Sequence, residues 1–180
     1  MGEEEHTESA RTRSVLEPAF VQELGALPIE EVRRRRDLAL EEREFQSYLR
    51  RLVQVRMDLL KAERVRRVEG SQSGPLVERI TSALAEGPQG RGRGEALRLR
   101  PSDEDMAEAE RRADQAMGGG FATPLDSLQD KELASALEGL ERAEQTISSQ
   151  RAKVLRVHDA LQNELKRRYR EDLSQVPVDL

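Results

Sequence analysis

The sequence predicts an all-α protein in which two long helices pair as an antiparallel coiled-coil hairpin. Ala, Leu, Glu, Arg and Gln dominate the 180-residue chain, and all of them favour helix, whereas aromatic residues make up only 3%. Apolar residues recur at seven-residue spacing in two long stretches that no proline interrupts. Because 36% of the residues are charged, the chain has apolar material for narrow seams between helices rather than for a thick core.

The first long helix is predicted over residues 28–69. Pro28 suits the first turn of a helix, and Gly70 supplies a natural C-terminal stop. The predicted seam follows an unbroken spacing of seven, with three further apolar residues beside it: Leu38, Phe45, Leu52 and Leu59, with Leu49, Val55 and Ala62.

The second long helix is predicted over residues 129–171. Asp130 is a good N-cap, and Glu132 follows it closely. Its predicted seam has five apolar residues at strict sevens: Leu133, Leu140, Ile147, Val154 and Leu161. Antiparallel pairing with the first helix is expected, because the linker then does not have to run back along the whole hairpin.

Three other segments complete the predicted organisation. Residues 1–27 are expected to be a disordered acidic tail with a possible short helix over Pro18–Leu27. Residues 70–128, which hold most of the glycines, are expected to be a flexible linker with short helices at Pro75–Glu86 and Ser102–Met117. Residues 172–180 are expected to be a C-terminal tail.

Composition also excludes several functional classes. The chain has no Cys, and its only histidines are His6 and His158, so no metal site is expected. No signal-like or membrane-spanning apolar stretch is visible, which predicts a cytoplasmic protein that does not contact a membrane. A net charge of -5 disfavours direct binding to DNA. Because no nucleophile and base occur together in a catalytic pattern, we expect no enzymatic activity.

A second, polar stripe recurs on both predicted helices. It comprises Ser47, Arg50, Gln54 and Asp58 on the first helix and Glu144, Ser148, Arg151, Leu155 and Asp159 on the second. In each set the spacing of three or four residues puts the members on one helix face. The fork of an arginine matches the O6 and N7 acceptors of guanine, and aspartate can accept from the N1 and N2 donors. Repetition on antiparallel helices would suit a two-fold symmetric ligand with two guanines.

Two other interpretations remain open from the residues alone. Polar stripes on coiled coils are usually solvated faces, so the chain could be a structural coiled-coil adaptor that binds no nucleotide. A cyclic-dinucleotide phosphodiesterase is disfavoured because no metal-ligand cluster exists.

The segments Ser47–Leu60 and Leu140–Leu161 resemble the RsiG family of actinobacterial anti-sigma factors, whose two helices each carry the motif E-x3-S-x2-R-x3-Q-x3-D. The resemblance implies a cytoplasmic transcription regulator of sporulation that binds the second messenger cyclic di-GMP, as two molecules, and sequesters a sigma factor of the WhiG/flagellar class. The residues that it implies for the nucleotide are Ser47, Arg50, Gln54, Asp58, Glu144, Ser148, Arg151 and Asp159, with Glu44 as a substitute for a missing member.

The motif departs from the family pattern at two positions. Its leading Glu falls on Arg43 in the first copy, beside Glu44, and the Gln of the second copy falls on Leu155. Since a leucine cannot donate a hydrogen bond, the second copy is expected to depend more on Glu144, Arg151 and Asp159.

Overall fold

A computed structural model describes residues 9–69, 101–119 and 125–174. Its helices, in chain order, are α1 (Ala10–Leu16), α2 (Ile29–Glu69), α3 (Asp103–Ala116) and α4 (Asp130–Ser174). Short 3₁₀ turns lie at Pro18–Phe20, Leu24–Ala26 and Leu125–Ser127. These described residues contain no β-strand, and the predicted all-α fold with two long helices is confirmed.

The protein divides into two compact units, and each long helix contributes to both. The terminal unit takes in the described residues of Met1–Gln46 and Ser149–Leu180. The central unit takes in those of Ser47–Ser148. Most of the predicted motif, six positions from Ser47 to Ser148, therefore belongs to the central unit.

Within the central unit, α2 and α4 run antiparallel. Arg50 of α2 donates to the hydroxyl of Ser148 over 2.8 Å. Arg67, almost five turns further along α2, donates over 2.7 Å to Asp130, the first residue of α4. Since the residue number rises on one helix as it falls on the other, the chain directions are opposed.

Helix α4 buries the seam that the sequence predicts for it. Its five heptad residues are at most 4% exposed: Leu133, Leu140, Ile147, Val154 and Leu161. In the terminal unit, Val154 and Leu161 pack with Val32 and Ala39 of α2 in one apolar cluster. A strict seven-residue spacing keeps such residues on one side of a helix, so hydrophobicity alone was enough to find them.

The seam predicted for α2 is wrong by one residue over most of its length. Leu38, Leu52 and Leu59 are only half-buried, although Phe45 and Leu49 are buried as expected. The buried heptad row instead comprises Val32, Ala39, Gln46, Val53 and Leu60, and a parallel row comprises Glu42, Leu49, Arg56 and Glu63. Because four members of these rows are polar or charged, a seam chosen by hydrophobicity moves to the neighbouring leucines.

Helix α1 docks on α2 through a buried carboxylate. Glu42, which is fully buried, accepts hydrogen bonds from Thr12 Oγ1 (2.6 Å), Arg11 Nε (2.8 Å) and Gln46 Nε2 (2.7 Å). The guanidinium of Arg11 also lies over the Phe45 ring, 5.3 Å from its centroid. These contacts place an ordered helix in the segment for which the sequence predicts a disordered tail; residues 1–8 of that tail lie outside the described ranges.

Helix α3 lies in the predicted linker and agrees with the short helix expected at Ser102–Met117. Ser102 caps it by accepting from the backbone N–H of Asp105 (3.1 Å). The inner face carries Ala109 and Ala113, both fully buried. The other predicted linker helix, Pro75–Glu86, lies outside the described residues. Of the predicted C-terminal tail, residues 172–174 instead continue the last helix, and residues 175–180 lie outside the described residues.

Contacts at the C-terminal end of α3 fix it to both long helices of the central unit. Arg56 of α2, only 8% exposed, donates through Nη1 to Asp114 Oδ1 over 2.5 Å. At Gly139 of α4 an added methyl group would overlap the backbone carbonyl oxygen of Ala116. Glycine is therefore required there by the close approach of the two helix backbones.

Replacing a seam residue of α4 should cost far more stability than replacing an exposed leucine of the same helix. Leu161→Ala removes a fully buried side chain from the cluster of Val154 and Ala39, and should lower the free energy of unfolding by about 2–5 kcal/mol. Leu155 is 36% exposed, so the matched Leu155→Ala change should cost less than about 1 kcal/mol. Urea unfolding followed by circular dichroism measures both. Equal losses would contradict the assignment of the seam.

Candidate functional site

Four of the predicted ligand residues meet in the central unit. Arg50 and Gln54 are one turn apart on α2, and Glu144 and Ser148 are one turn apart on α4, so each pair shares a face of its helix. The antiparallel packing of the two helices brings the pairs together. We call these four residues the Arg50–Glu144 cluster.

A single carboxylate oxygen organises the cluster. Oε1 of Glu144 accepts from Arg50 Nε (2.9 Å), from Ser148 Oγ (2.9 Å) and from Gln54 Nε2 (3.3 Å). Arg50 Nε also lies 2.8 Å from Ser148 Oγ and donates to it. Charged partners make such hydrogen bonds shorter and stronger than neutral ones. The result is a polar bridge between the two long helices, built almost entirely from members of the repeated motif.

The charges of the bridge balance each other. Burial acts to raise the pKa of Glu144, but hydrogen bonds from Ser148 and Arg50 outweigh it, and the pKa is lowered from its ordinary value. Glu144 is therefore ionised at neutral pH and opposes the positive charge of Arg50. The side chains of Arg50 and Glu144 remain 37% and 21% exposed, so the bridge is accessible from solvent.

Arg50 has hydrogen-bond donors that the cluster does not use. Its Nε makes both of its hydrogen bonds to the cluster, while its terminal nitrogens Nη1 and Nη2 bond to no other residue in the described ranges. A guanidinium held by Nε is fixed in orientation and presents its outer edge as a planar pair of donors. The arrangement can therefore accept a planar ligand with two neighbouring acceptors.

The remaining predicted residues of α2 are placed less specifically. Ser47 is half-buried and Asp58 is exposed, and both belong to the central unit. Glu44, which stands beside the missing motif position, belongs to the terminal unit and accepts from Arg43 Nη2 over 2.9 Å. Arg43 thus neutralises the very carboxylate that was expected to replace the motif Glu.

The second half of the α4 motif lies in the terminal unit. Arg151 is half-buried, and Asp159 is exposed with its Oδ1 3.4 Å from His158 Nδ1. Leu155, which replaces the motif Gln, is 36% exposed. The structure therefore brings Arg50, Gln54, Glu144 and Ser148 together, and it places Arg151 and Asp159 in the other unit.

The predicted seam of α2 does not include Arg56. Arg56 is instead buried against Asp114 of α3. The signal was present in the sequence, because Arg56 stands seven residues after Leu49 and seven before Glu63 in a buried heptad row. No helix in the described ranges is both long and apolar enough to cross a bilayer, and those ranges contain no cluster of potential metal ligands.

The contribution of Glu144 to stability should depend on pH. Because its pKa is lowered in the folded chain, the stabilisation is present above the ordinary value of 4.5 and is lost as pH falls through the lowered pKa. Glu144→Gln should therefore reduce the free energy of unfolding near neutral pH by about 1 kcal/mol, and the difference from wild type should shrink in acid. Urea unfolding at a series of pH values measures it.

The matched control is Glu138→Gln, which removes one carboxylate from an exposed position of the same helix. It should change stability little at any pH. A Glu144→Gln deficit that is unchanged in acid, or that Glu138→Gln reproduces, would show that the carboxylate bridge does not join the helices.

Comparison with known proteins adds one finding about the family. Residues 18–84 match the model of the RsiG-like family. A search of curated proteins found no match to the chain. The matched residues include the first copy of the motif, with Ser47, Arg50, Gln54 and Asp58, whereas the second copy on α4 lies outside them. The resemblance to the RsiG family is thus confirmed over residues 18–84, which form an RsiG-like region and indicate an anti-sigma factor.

Proposed function

We propose that the protein is an anti-sigma factor that binds cyclic di-GMP on its two long helices and, when loaded, sequesters a sigma factor of the WhiG/flagellar class. In this role it would block transcription of a sporulation regulon. The observation that carries the proposal is the Arg50–Glu144 cluster, where motif residues of both helices orient one arginine with unused donors. The RsiG-like match supports the anti-sigma role.

The balanced charge of the cluster favours a base edge over a phosphate as the partner of Arg50. Glu144 already neutralises the guanidinium, so a phosphate would meet a neighbouring negative charge. A guanine edge is uncharged and offers O6 and N7 as adjacent acceptors, which a bidentate arginine recognises with about 1–3 kcal/mol of discrimination. We therefore assign the outer edge of Arg50 to a guanine.

The other motif members complete the proposed contacts. Asp58 is exposed and can accept from guanine N1 and N2, while Ser47 and the second amide hydrogen of Gln54 can donate to phosphate oxygens. The hydroxyl of Ser148 already donates to Glu144 and so orients the cluster instead. In the second copy Arg151 and Asp159 would act on the other guanines. Since Leu155 cannot donate and Glu44 is held by Arg43, the two copies would contribute unequally.

The nucleotide would act by forming part of the surface that meets the sigma factor. A ligand changes the affinity for a partner only through contacts that differ between the loaded and empty states. Two cyclic di-GMP molecules on the helices would present bases and phosphates beside protein side chains. The sigma factor would then bind a composite surface of protein and nucleotide, which the protein without ligand does not have.

A structural coiled-coil adaptor without a ligand is the alternative. Its helices would have no need for an oriented arginine with open donors, whereas a nucleotide-binding hairpin would. We further propose that the chain is not an enzyme, and that cyclic di-GMP is recovered unchanged after long incubation with it. Hydrolysis of the nucleotide would instead identify the chain as a phosphodiesterase.

Titration calorimetry with cyclic di-GMP tests the ligand. The wild-type chain should bind two nucleotides, whereas Arg50→Ala and Arg151→Ala should each weaken binding roughly tenfold or more, because each removes a bidentate contact to a guanine. Arg51→Ala is the control, since Arg51 is exposed and lies beside Arg50 on the same helix.

The outcomes separate the hypotheses cleanly. A flat trace for the wild-type chain, both alone and with a sigma factor present, would support the adaptor. Equal losses in Arg50→Ala and Arg51→Ala would show that only general positive charge matters, and the assigned role of Arg50 would be wrong.

A ternary binding assay tests the partner. A WhiG-class sigma factor should bind the chain with an affinity that rises with cyclic di-GMP concentration, and Arg50→Ala should remove that dependence at moderate nucleotide concentrations. Surface plasmon resonance with the chain immobilised gives the affinity at each concentration. Binding of equal strength with and without the nucleotide would contradict the proposed mechanism.

A further inference from the structure

Helix α3 carries its own start and stop signals. Its N-terminal end is capped by Ser102, and three acidic residues follow in the first turn, where the helix dipole favours them. At its C-terminal end Gly118 adopts a positive φ of 78°, and the N–H of Gly119 donates to the carbonyl of Asp114 over 3.3 Å. Within the helix, Glu108 accepts from Arg112 over 2.7 Å. Residues of the segment itself therefore set where the helix begins and where it ends.

The fully buried apolar contact of α3 is small. Its two fully buried residues are Ala109 and Ala113, and an alanine contributes only a methyl group to hydrophobic attraction. The side-chain contacts with α2 include the ion pair between Asp114 and Arg56, in which the aspartate side chain is 37% exposed, and the approach of Arg56 Nη1 to Met117 Sδ at 4.0 Å. Elements with few buried apolar contacts open at low free energy compared with the core. Helix α3 is therefore expected to open at lower free energy than the paired long helices.

The surface that α3 covers restricts which helices can dock on it. Arg56 is only 8% exposed, and a buried cation requires an acidic partner. Gly139 admits a helix backbone so closely that even a methyl group would overlap a carbonyl oxygen. We call this surface, with Arg56 on α2 and Gly139 on α4, the α3 seat. It fits a helix with two small residues four positions apart and an acidic residue directly after the second.

We infer that the α3 seat is a docking surface for an acidic helix of the sigma factor partner, and that α3 fills it in the free chain as an intramolecular substitute. The identity of the partner rests on the proposed function, whereas the chemistry of its helix follows from Arg56 and Gly139. Exchange of α3 for the partner helix adds a contact surface that does not include the nucleotide. It also makes α3 a competitor that weakens partner binding.

A synthetic peptide of residues 101–117 tests the seat directly. In the full chain, Ala113→Glu or Ala109→Glu places a charge at a fully buried position and should displace α3 while leaving the seat intact. Fluorescence anisotropy should show that either variant binds the labelled peptide roughly tenfold or more tightly than wild type, in which α3 occupies the seat. Adding Gly139→Ala to Ala113→Glu should abolish that binding.

Changes in the peptide provide matched controls. Asp114→Asn removes the partner of Arg56 and should weaken binding, whereas Glu110→Gln removes one negative charge from an exposed position and should not. The inference is overturned if the displaced variants keep their helical circular dichroism but bind no peptide. It is equally overturned if the two peptide changes have the same effect.

The sigma factor itself provides the last comparison. With cyclic di-GMP present, Ala113→Glu should bind the WhiG-class sigma factor more tightly than wild type, and excess peptide should reduce that binding. If the sigma factor binds wild type but responds neither to Ala113→Glu nor to the peptide, the docking surface is wrong and the proposed function stands. If the sigma factor binds neither protein while the peptide still binds, the proposed function fails instead.

Discussion

Buried charge on the inward face of α2 is the constraint on which the rest of the fold depends. A charged side chain that is removed from water destabilises the protein unless a partner meets it. Glu42 is met by Arg11 of α1, and Arg56 is met by Asp114 of α3. Each short helix is thereby tied to one turn of α2. The polar members of the seam decide which segment docks at each place, while the apolar members supply most of the burial.

The same constraint explains how much of the fold the sequence could predict. Every heptad position of α4 from Leu133 to Leu161 is apolar, so its period identified the helix and its buried face. The buried rows of α2 contain charges such as Glu42 and Arg56, whose partners lie on other helices, and the predicted seam therefore shifted to half-buried leucines. Helix α1 has seven residues, too few for a period, and its buried contacts lie far away in the sequence: Thr12 meets Glu42, 30 residues away, and Val15 joins the apolar cluster of Val32 and Ala39.

The sequence could predict the candidate site to about the same extent as the fold. Repeated spacing on two helices selected Arg50, Gln54, Glu144 and Ser148, and these four meet in the central unit. The spacing of residues does not indicate which nitrogen of an arginine makes a hydrogen bond. Only the structure shows that Nε of Arg50 bonds to Glu144 and Ser148 while its terminal nitrogens remain available. The spacing also does not indicate that Arg43 would pair with Glu44, which makes the two copies of the motif chemically unequal.

The caps of α3 make this helix a segment that carries its own boundaries. Residues 102–119 contain both the signal that begins the helix and the glycines that end it. A stretch delimited in this way has the character of a cassette, and its closest contacts with the long helices are at Arg56 and Gly139. Such a segment can be replaced as one unit while the residues that pair α2 with α4 in the central unit keep their sequence.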